Sequence, residues 1–162
     1  MNDIGDNAGV IAPPPLLAAV VIVLGLILDW LLPAYVLSVL LSMTGRVVIG
    51  AALIGAGLAL VISANLAFRS VGTRVEPWKP STVLVREGIF ARLRNPMYVG
   101  GTLFLAGLAI ALASDWMLVM TIVFTIILHF GVVRREERYL EAKFGDAYKN
   151  YRNKVPRYGW PG

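Results

Sequence analysis

The sequence predicts an all-α fold, a polytopic integral membrane protein with about four transmembrane helices. Of 162 residues, 57% are hydrophobic and 15% charged, against roughly 45–50% apolar and 25% charged in an ordinary soluble domain. Mean hydropathy is +0.71. The apolar residues fall in four blocks, at about 16–32, 47–68, 96–113 and 116–133, each long enough as a helix to cross the hydrocarbon core. Lys and Arg lie outside these blocks and gather on one side of them, the pattern that topology imposes on membrane proteins.

Each element follows from local chemistry. The first span opens behind Pro13, Pro14 and Pro15, which suit a helix's first turn, and closes near Asp29 and Trp30, which can reach the headgroup layer. The residues before it include Asp3 and Asp6 but no Lys or Arg, so they lack the basic start of a secretory signal and the span is expected to be retained. Spans two and three are rich in Gly and Ala, and the pairs Gly55/Ala59 and Gly107/Ala111 have the small-xxx-small spacing of closely packed helices. The run Gly55-Ala56-Gly57 follows no strand and lacks a third glycine, so it is not a dinucleotide fingerprint. Only Ser114 and Asp115 separate spans three and four, which predicts a tight helical hairpin. In the tail, 134–162, Leu140, Phe144, Ala147 or Tyr148, and Tyr151 form an apolar and aromatic stripe on a basic helix that Gly145 interrupts. Such a stripe lies on the membrane surface or packs on the protein's own loop.

Charge sets the orientation. One basic residue, Arg46, lies between spans one and two, six lie in the 69–95 loop and eight follow Val133. With four spans, fourteen of the fifteen share one face, which the positive-inside tendency makes cytoplasmic together with both termini. The net charge of +5 therefore reflects topology rather than nucleic-acid binding. With no cysteine and one histidine, the chain offers neither a thiolate nor a His/Cys cluster for a metal.

Two segments can carry chemistry. The 69–95 motif loop is longer than a connection needs, and its aromatic and branched residues argue against disorder. At the end of span four stands Arg134-Arg135-Glu136-Glu137, which read alone is a solvated ion-pair cluster. His129 lies seven residues before Glu136, on the same face of a regular helix. As an ionisable residue in a span it is either functional or an interfacial side chain bonded to a neighbouring helix.

The order of the motifs carries a resemblance. Thr82-x-Leu84-Val85-x-x-Gly88-x-Phe90 is followed by Arg94-Asn95-Pro96-Met97-Tyr98-Val99-Gly100. Then come Glu136-Glu137-x-x-Leu140-x-x-x-Phe144-Gly145-x-x-Tyr148-x-x-Tyr151 and Val155-Pro156-Arg157. This pattern, over about 72–160, resembles the isoprenylcysteine carboxyl methyltransferase family and the related membrane phospholipid methyltransferases. The resemblance implies one membrane methyltransferase-like domain over 1–162, with S-adenosylmethionine as cofactor and S-adenosylhomocysteine as its product. Carried over position by position, it implies cofactor contacts at Thr82, Val83, Leu84, Val85, Phe90, Asn95, Pro96, Met97, Tyr98 and Glu136. The third span, starting at Pro96, would favour an anionic group at its N-terminus.

The implied acceptor is lipid-like, reached laterally from the membrane lipids. Prenylcysteine members have histidine where this chain has Asn95, which hydrogen-bonds but carries no proton, and an arginine where it has Val132. A carboxylate acceptor needs no base, whereas an ammonium must lose a proton first. His129 or Glu137 can serve as that base, and Arg134 or Arg135 can steer a carboxylate or phosphate. Carboxyl methylation, phospholipid N-methylation and a non-catalytic scaffold or transport subunit of the same fold all remain open on sequence alone.

Overall fold

The computed structural model describes residues 8–72 and 82–159; the N-terminal aspartates and the 73–81 part of the motif loop lie outside the described residues. Seven α-helices run through the described residues: α1 (Pro14–Leu31), α2 (Val36–Leu40), α3 (Met43–Ser70), α4 (Pro96–Leu112), α5 (Asp115–Leu128), α6 (Arg134–Phe144) and α7 (Asp146–Lys154). A 3-10 turn over Gly88–Ala91 precedes α4, and a π turn over His129–Val133 makes α5 and α6 one continuous rod.

Three helical segments are long and apolar enough to cross a membrane: Pro14–Leu31, Met43–Ser70 and the rod Asp115–Phe144. The fourth expected span, Pro96–Leu112, has 17 residues, about 26 Å at the usual helical rise and short of a typical core of about 30 Å. The protein is an integral membrane protein, and its exposed side chains agree: Val20, Leu24, Ile27, Val48, Ile62, Leu66, Ile122 and Ile126 all face outward. Such exposure is unfavourable in water and neutral in lipid.

The helices pair α3 on α4, α4 on α5 and α1 on α5, so the predicted hairpin of α4 and α5 is present. Glycine makes the α3–α4 contact possible. A Cβ at Gly57 would lie 2.5 Å from the carbonyl oxygen of Gly100, and one at Gly107 would lie 2.7 Å from that of Gly50. Gly50/Gly107 and Gly57/Gly100 are thus two backbone contacts, seven residues apart on each antiparallel helix. Of the predicted small-residue pairs, Gly107/Ala111 faces α3, since a Cβ on Gly50 would meet Ala111. The pair Gly55/Ala59 does not: Gly55 meets open space, because the helical turn puts it on a different face from Gly50 and Gly57.

The end of the bundle far from the motif loop is locked by two aspartates. Asp29 accepts from the Ser114 hydroxyl and from the Trp116 amide (3.2 Å), so it holds the hairpin rather than simply reaching outward. Asp115 accepts from the amides of Val36 (3.0 Å) and Leu37 (2.9 Å), capping α2, a short helix the hydropathy pattern did not suggest. Ala113, in the left-handed region at φ 54, ends α4, and Ser114 caps α5 through the Met117 amide.

Candidate functional site

The opposite end of the bundle brings the motifs together. Residues 82–95 lie against α3, where Val85, Phe90 and Ala64 form a small core that includes Met97. The Phe90 ring meets Phe68 of α3 edge to face at 5.0 Å between centroids. Helix α7 closes the far wall: Tyr148, Tyr151 and Val155 pack with Leu84, Leu140 and Phe144. This is the predicted tail stripe, and it packs on the protein's own loop. It turns there because α6 stops at Gly145, whose φ of 54 needs a residue without a side chain. The Tyr151 hydroxyl donates to the Phe90 carbonyl (2.7 Å), fixing α7 to the 3-10 turn.

Between these walls lies a cavity of about 60 Å³, bounded by Phe68, Phe90, Leu140 and Tyr148 on its apolar sides and by Arg94, Asn95, Glu136 and Glu137 on its polar side. The two glutamates are neighbours in sequence but differ in chemistry. Glu136 accepts from the Tyr98 hydroxyl at 2.7 Å. Glu137 is gripped by arginines: Arg157 donates through Nε (2.9 Å) and Nη2 (2.7 Å), and Arg94 Nη1 lies 3.0 Å away. A bidentate guanidinium is a strong partner for a buried carboxylate. The Glu137–Arg157 pair in turn holds the 155–158 segment, which is clipped to the motif loop by Arg94 N–H to Pro156 O (3.0 Å) and Asn95 Nδ2 to Arg157 O (3.3 Å).

The tyrosines of the wall stay protonated. Burial, and then the nearby Glu137, push the Tyr148 phenol up to about 12. Burial also raises Tyr151 and Tyr158. Arg157 is raised by its hydrogen bonds to Glu137.

The cavity gathers Val83, Leu84, Val85, Phe90, Asn95, Glu136 and Glu137 of the sequence-derived candidates. Tyr98 reaches it through Glu136. Pro96 is buried at the start of α4, Met97 packs in the core behind Phe90, and Thr82 is exposed at the edge of the loop. The remaining three candidates stand apart from the cavity. Arg134 stacks over the Phe130 ring at 5.6 Å, and Arg135 donates to the Gly9 carbonyl (2.8 Å). His129 Nδ1 pairs with the Tyr158 hydroxyl at 2.8 Å.

His129 does not share the face of Glu136 as regular helical spacing predicts. The π turn at 129–133 inserts extra backbone into the rod, so the equivalent position falls one residue later, at Glu137. His129 and Glu137 accordingly meet the consecutive residues Tyr158 and Arg157. The π turn also leaves the Gly131 carbonyl to accept from the Ile11 amide (3.3 Å), and Ile11 fills the space a side chain at 131 would need.

Sequence reasoning gave no site role to Arg94, Phe68, Leu140, Tyr148, Tyr151, Arg157 or Tyr158. Most stand inside the quoted motifs, so the signal was present without an assignment. Phe68 carried none, because it reads as the end of a lipid-facing helix.

The family model for phospholipid methyltransferases matches residues 45–147. The chain belongs to the phospholipid methyltransferase family. Within that family, this member is 39% identical over 77 residues to a protein-S-isoprenylcysteine O-methyltransferase of Schizosaccharomyces pombe, an overlap of 46% of this chain and 31% of that protein. It is also 36% identical over 62 residues to an uncharacterized protein of Haemophilus influenzae, covering 38% of this chain and 98% of the relative. The chain thus spans about a third of the length of the Schizosaccharomyces enzyme. No solved structure matches this family member.

Proposed function

We propose that this phospholipid methyltransferase family member transfers a methyl group from S-adenosylmethionine to a lipid-like acceptor, with carboxyl methylation of an isoprenylcysteine-type group as the nearest activity. The observation that carries this reading is the half-buried Tyr98–Glu136 pair at the polar wall of a cavity whose facing sides are aromatic and aliphatic. The donor set suits the cofactor. Tyr98 fixes one Glu136 oxygen and leaves the carboxylate to accept from a ribose hydroxyl or an ammonium. Phe68, Phe90 and Tyr148 offer ring faces that tolerate a sulfonium. When bound, the cofactor supplies an electrophilic methyl on a cationic sulfur.

The protein's part is to align the acceptor with that methyl and exclude water. Among the described residues, Glu137 is neutralised by Arg94 and Arg157, the wall tyrosines stay protonated, and His129 is turned to Tyr158. This set supplies few free bases, which favours an acceptor already anionic, such as a carboxylate. Phospholipid N-methylation is the second reading, favoured by the family description, with Glu136 as the remaining base. The site is placed on the cytoplasmic side by the positive-inside tendency, and an acceptor's tail reaches it from the bilayer past α3.

Titration calorimetry of the detergent-purified protein with S-adenosylhomocysteine tests the cofactor. Micromolar binding is expected, with at least a tenfold loss in Glu136→Ala. No binding by a folded protein would favour the non-catalytic scaffold instead. Incubation with methyl-labelled cofactor and membrane lipids separates the acceptors: base-labile label marks a methyl ester, and stable headgroup label marks an amine.

A further inference from the structure

The wall of the cavity holds a cation whose partners satisfy it only in part. Arg94 lies immediately before the Asn95-Pro96 start of α4, and its side chain is only 9% exposed. Its side chain hydrogen-bonds to Tyr148, but its Nε and Nη1 are buried with no aligned hydrogen-bond acceptor, although Nη1 stands 3.0 Å from Glu137 Oε1. Glu137 cannot neutralise it fully, because Arg157 already takes both carboxylate oxygens in a bidentate pair. Two guanidiniums therefore share one carboxylate. Buried donors left without acceptors are costly, and native structures tolerate few of them. Nε and Nη1 lie on opposite sides of the guanidinium, and Nη1 faces Glu137, so the donor that stands ready for a further anion is the Nε–H, and a charged N–H of this kind suits a carboxylate or phosphate.

The rest of the cavity narrows the choice. Arg94 and Glu136 both line it, one cationic and one a carboxyl, with aromatic and aliphatic walls between. That is the polarity needed to hold an α-amino acid end, with its carboxylate at the arginine and its ammonium at the glutamate. The enclosed volume of about 60 Å³ has room for a few waters, the scale of such a polar end and much less than a whole nucleoside.

We infer that Arg94 binds a carboxylate within this cavity: that of the methionine moiety of the cofactor or that of the methyl acceptor. The inference rests on the methyl-transfer reading above and adds to it a residue and the group that the residue holds. A carboxylate bound there gives the Arg94 Nε–H its acceptor.

The test compares ligands that differ only in the carboxylate. Calorimetry with S-adenosylhomocysteine and with S-adenosyl-3-thiopropylamine, its decarboxylated analogue, is run on the wild type, Arg94→Gln and Arg94→Lys. If the cofactor supplies the carboxylate, the wild type prefers S-adenosylhomocysteine by tenfold or more. Arg94→Gln then brings the two within about threefold by weakening only the carboxylate ligand, and Arg94→Lys restores part of the preference. If the acceptor supplies it, the same pattern appears between N-acetyl-S-farnesylcysteine and its carboxamide as competitors in the methyl-transfer assay.

A merely structural Arg94 would weaken both members of each pair equally. That result would overturn the inference, as would a wild type that discriminates neither pair. The wild-type comparison needs no variant to fold. A wild type that binds neither nucleoside refutes the methyl-transfer reading and this inference with it. Discrimination of both pairs undiminished in Arg94→Gln refutes the inference alone.

Discussion

Glu136 and Glu137 show how little adjacency says about role. Both are acidic and both sit on the first turn of α6, yet one is held by a phenol and the other by two guanidiniums. Tyr98→Phe removes the donor to the half-buried Glu136 and is expected to cost about 1 kcal/mol of stability, the usual net worth of one hydrogen bond; chemical denaturation in detergent measures it. Arg157→Ala breaks a pair in which the arginine is 36% exposed and the glutamate 10%. Solvent access on the arginine side holds the expected loss to about 1–2 kcal/mol, accompanied by release of the 155–158 segment to protease. Tyr148 gives a pH dependence of definite sign. Its pKa is raised by burial from 10.0 to about 12, so its contribution is complete below pH 10 and is lost as pH rises toward 12. Tyr148→Phe should lose less stability across that alkaline window, a difference that thermal unfolding at stepped pH detects. Spacing along the chain revealed the candidate residues of this site but not their pairing, since contacts such as Arg157 to Glu137 depend on how the tail folds back.

At the scale of elements, composition was legible and contact geometry only partly so. The apolar blocks mark the long helices well, because lipid demands a continuous apolar run with its backbone bonds satisfied inside the segment. Which glycine faces which neighbour is not readable from composition. Gly55 and Gly57 are two residues apart, yet only Gly57 touches α4. Gly57→Leu should therefore separate α3 from α4 and destabilise the bundle by about 3 kcal/mol or more, at and beyond the usual range for overpacking. Gly55→Leu, pointing into open space, should change the melting temperature in detergent little. Equal effects would show that the close approach of α3 and α4 is not what these glycines serve. The short helix α2 escaped the hydropathy pattern for a different reason. Five residues capped by a distant carboxylate, Asp115, leave no periodic signal of their own.

The whole molecule is polarised along its bundle axis. One end is tied by Asp29, Ser114, Asp115 and Trp116, while the other holds the cavity and, among the described residues, nearly all the basic ones. Because the chain contains no cysteine, single replacements report sidedness without background labelling. A Ser38→Cys variant in α2 and a Lys149→Cys variant in α7 should be labelled by an impermeant maleimide from opposite faces of a sealed membrane, with Lys149→Cys reactive from the cytoplasm. Reaction of both from one side would reverse or break the topology on which the cytoplasmic placement rests.

The π turn has a genetic corollary. Loss of a single codon within 129–133 removes the extra residue that the turn accommodates, so the rod becomes a regular α-helix and Glu137 keeps the face of His129. Insertion of one codon in the same five residues adds a residue that the turn does not absorb, and everything beyond it rotates by about 100° about the rod axis. Glu136 and Glu137 would then leave Tyr98 and Arg157 together, although neither had been altered. An in-frame insertion that changes no charged group of the cavity would thus dismantle it, while the hydropathy of the span remained almost as it was.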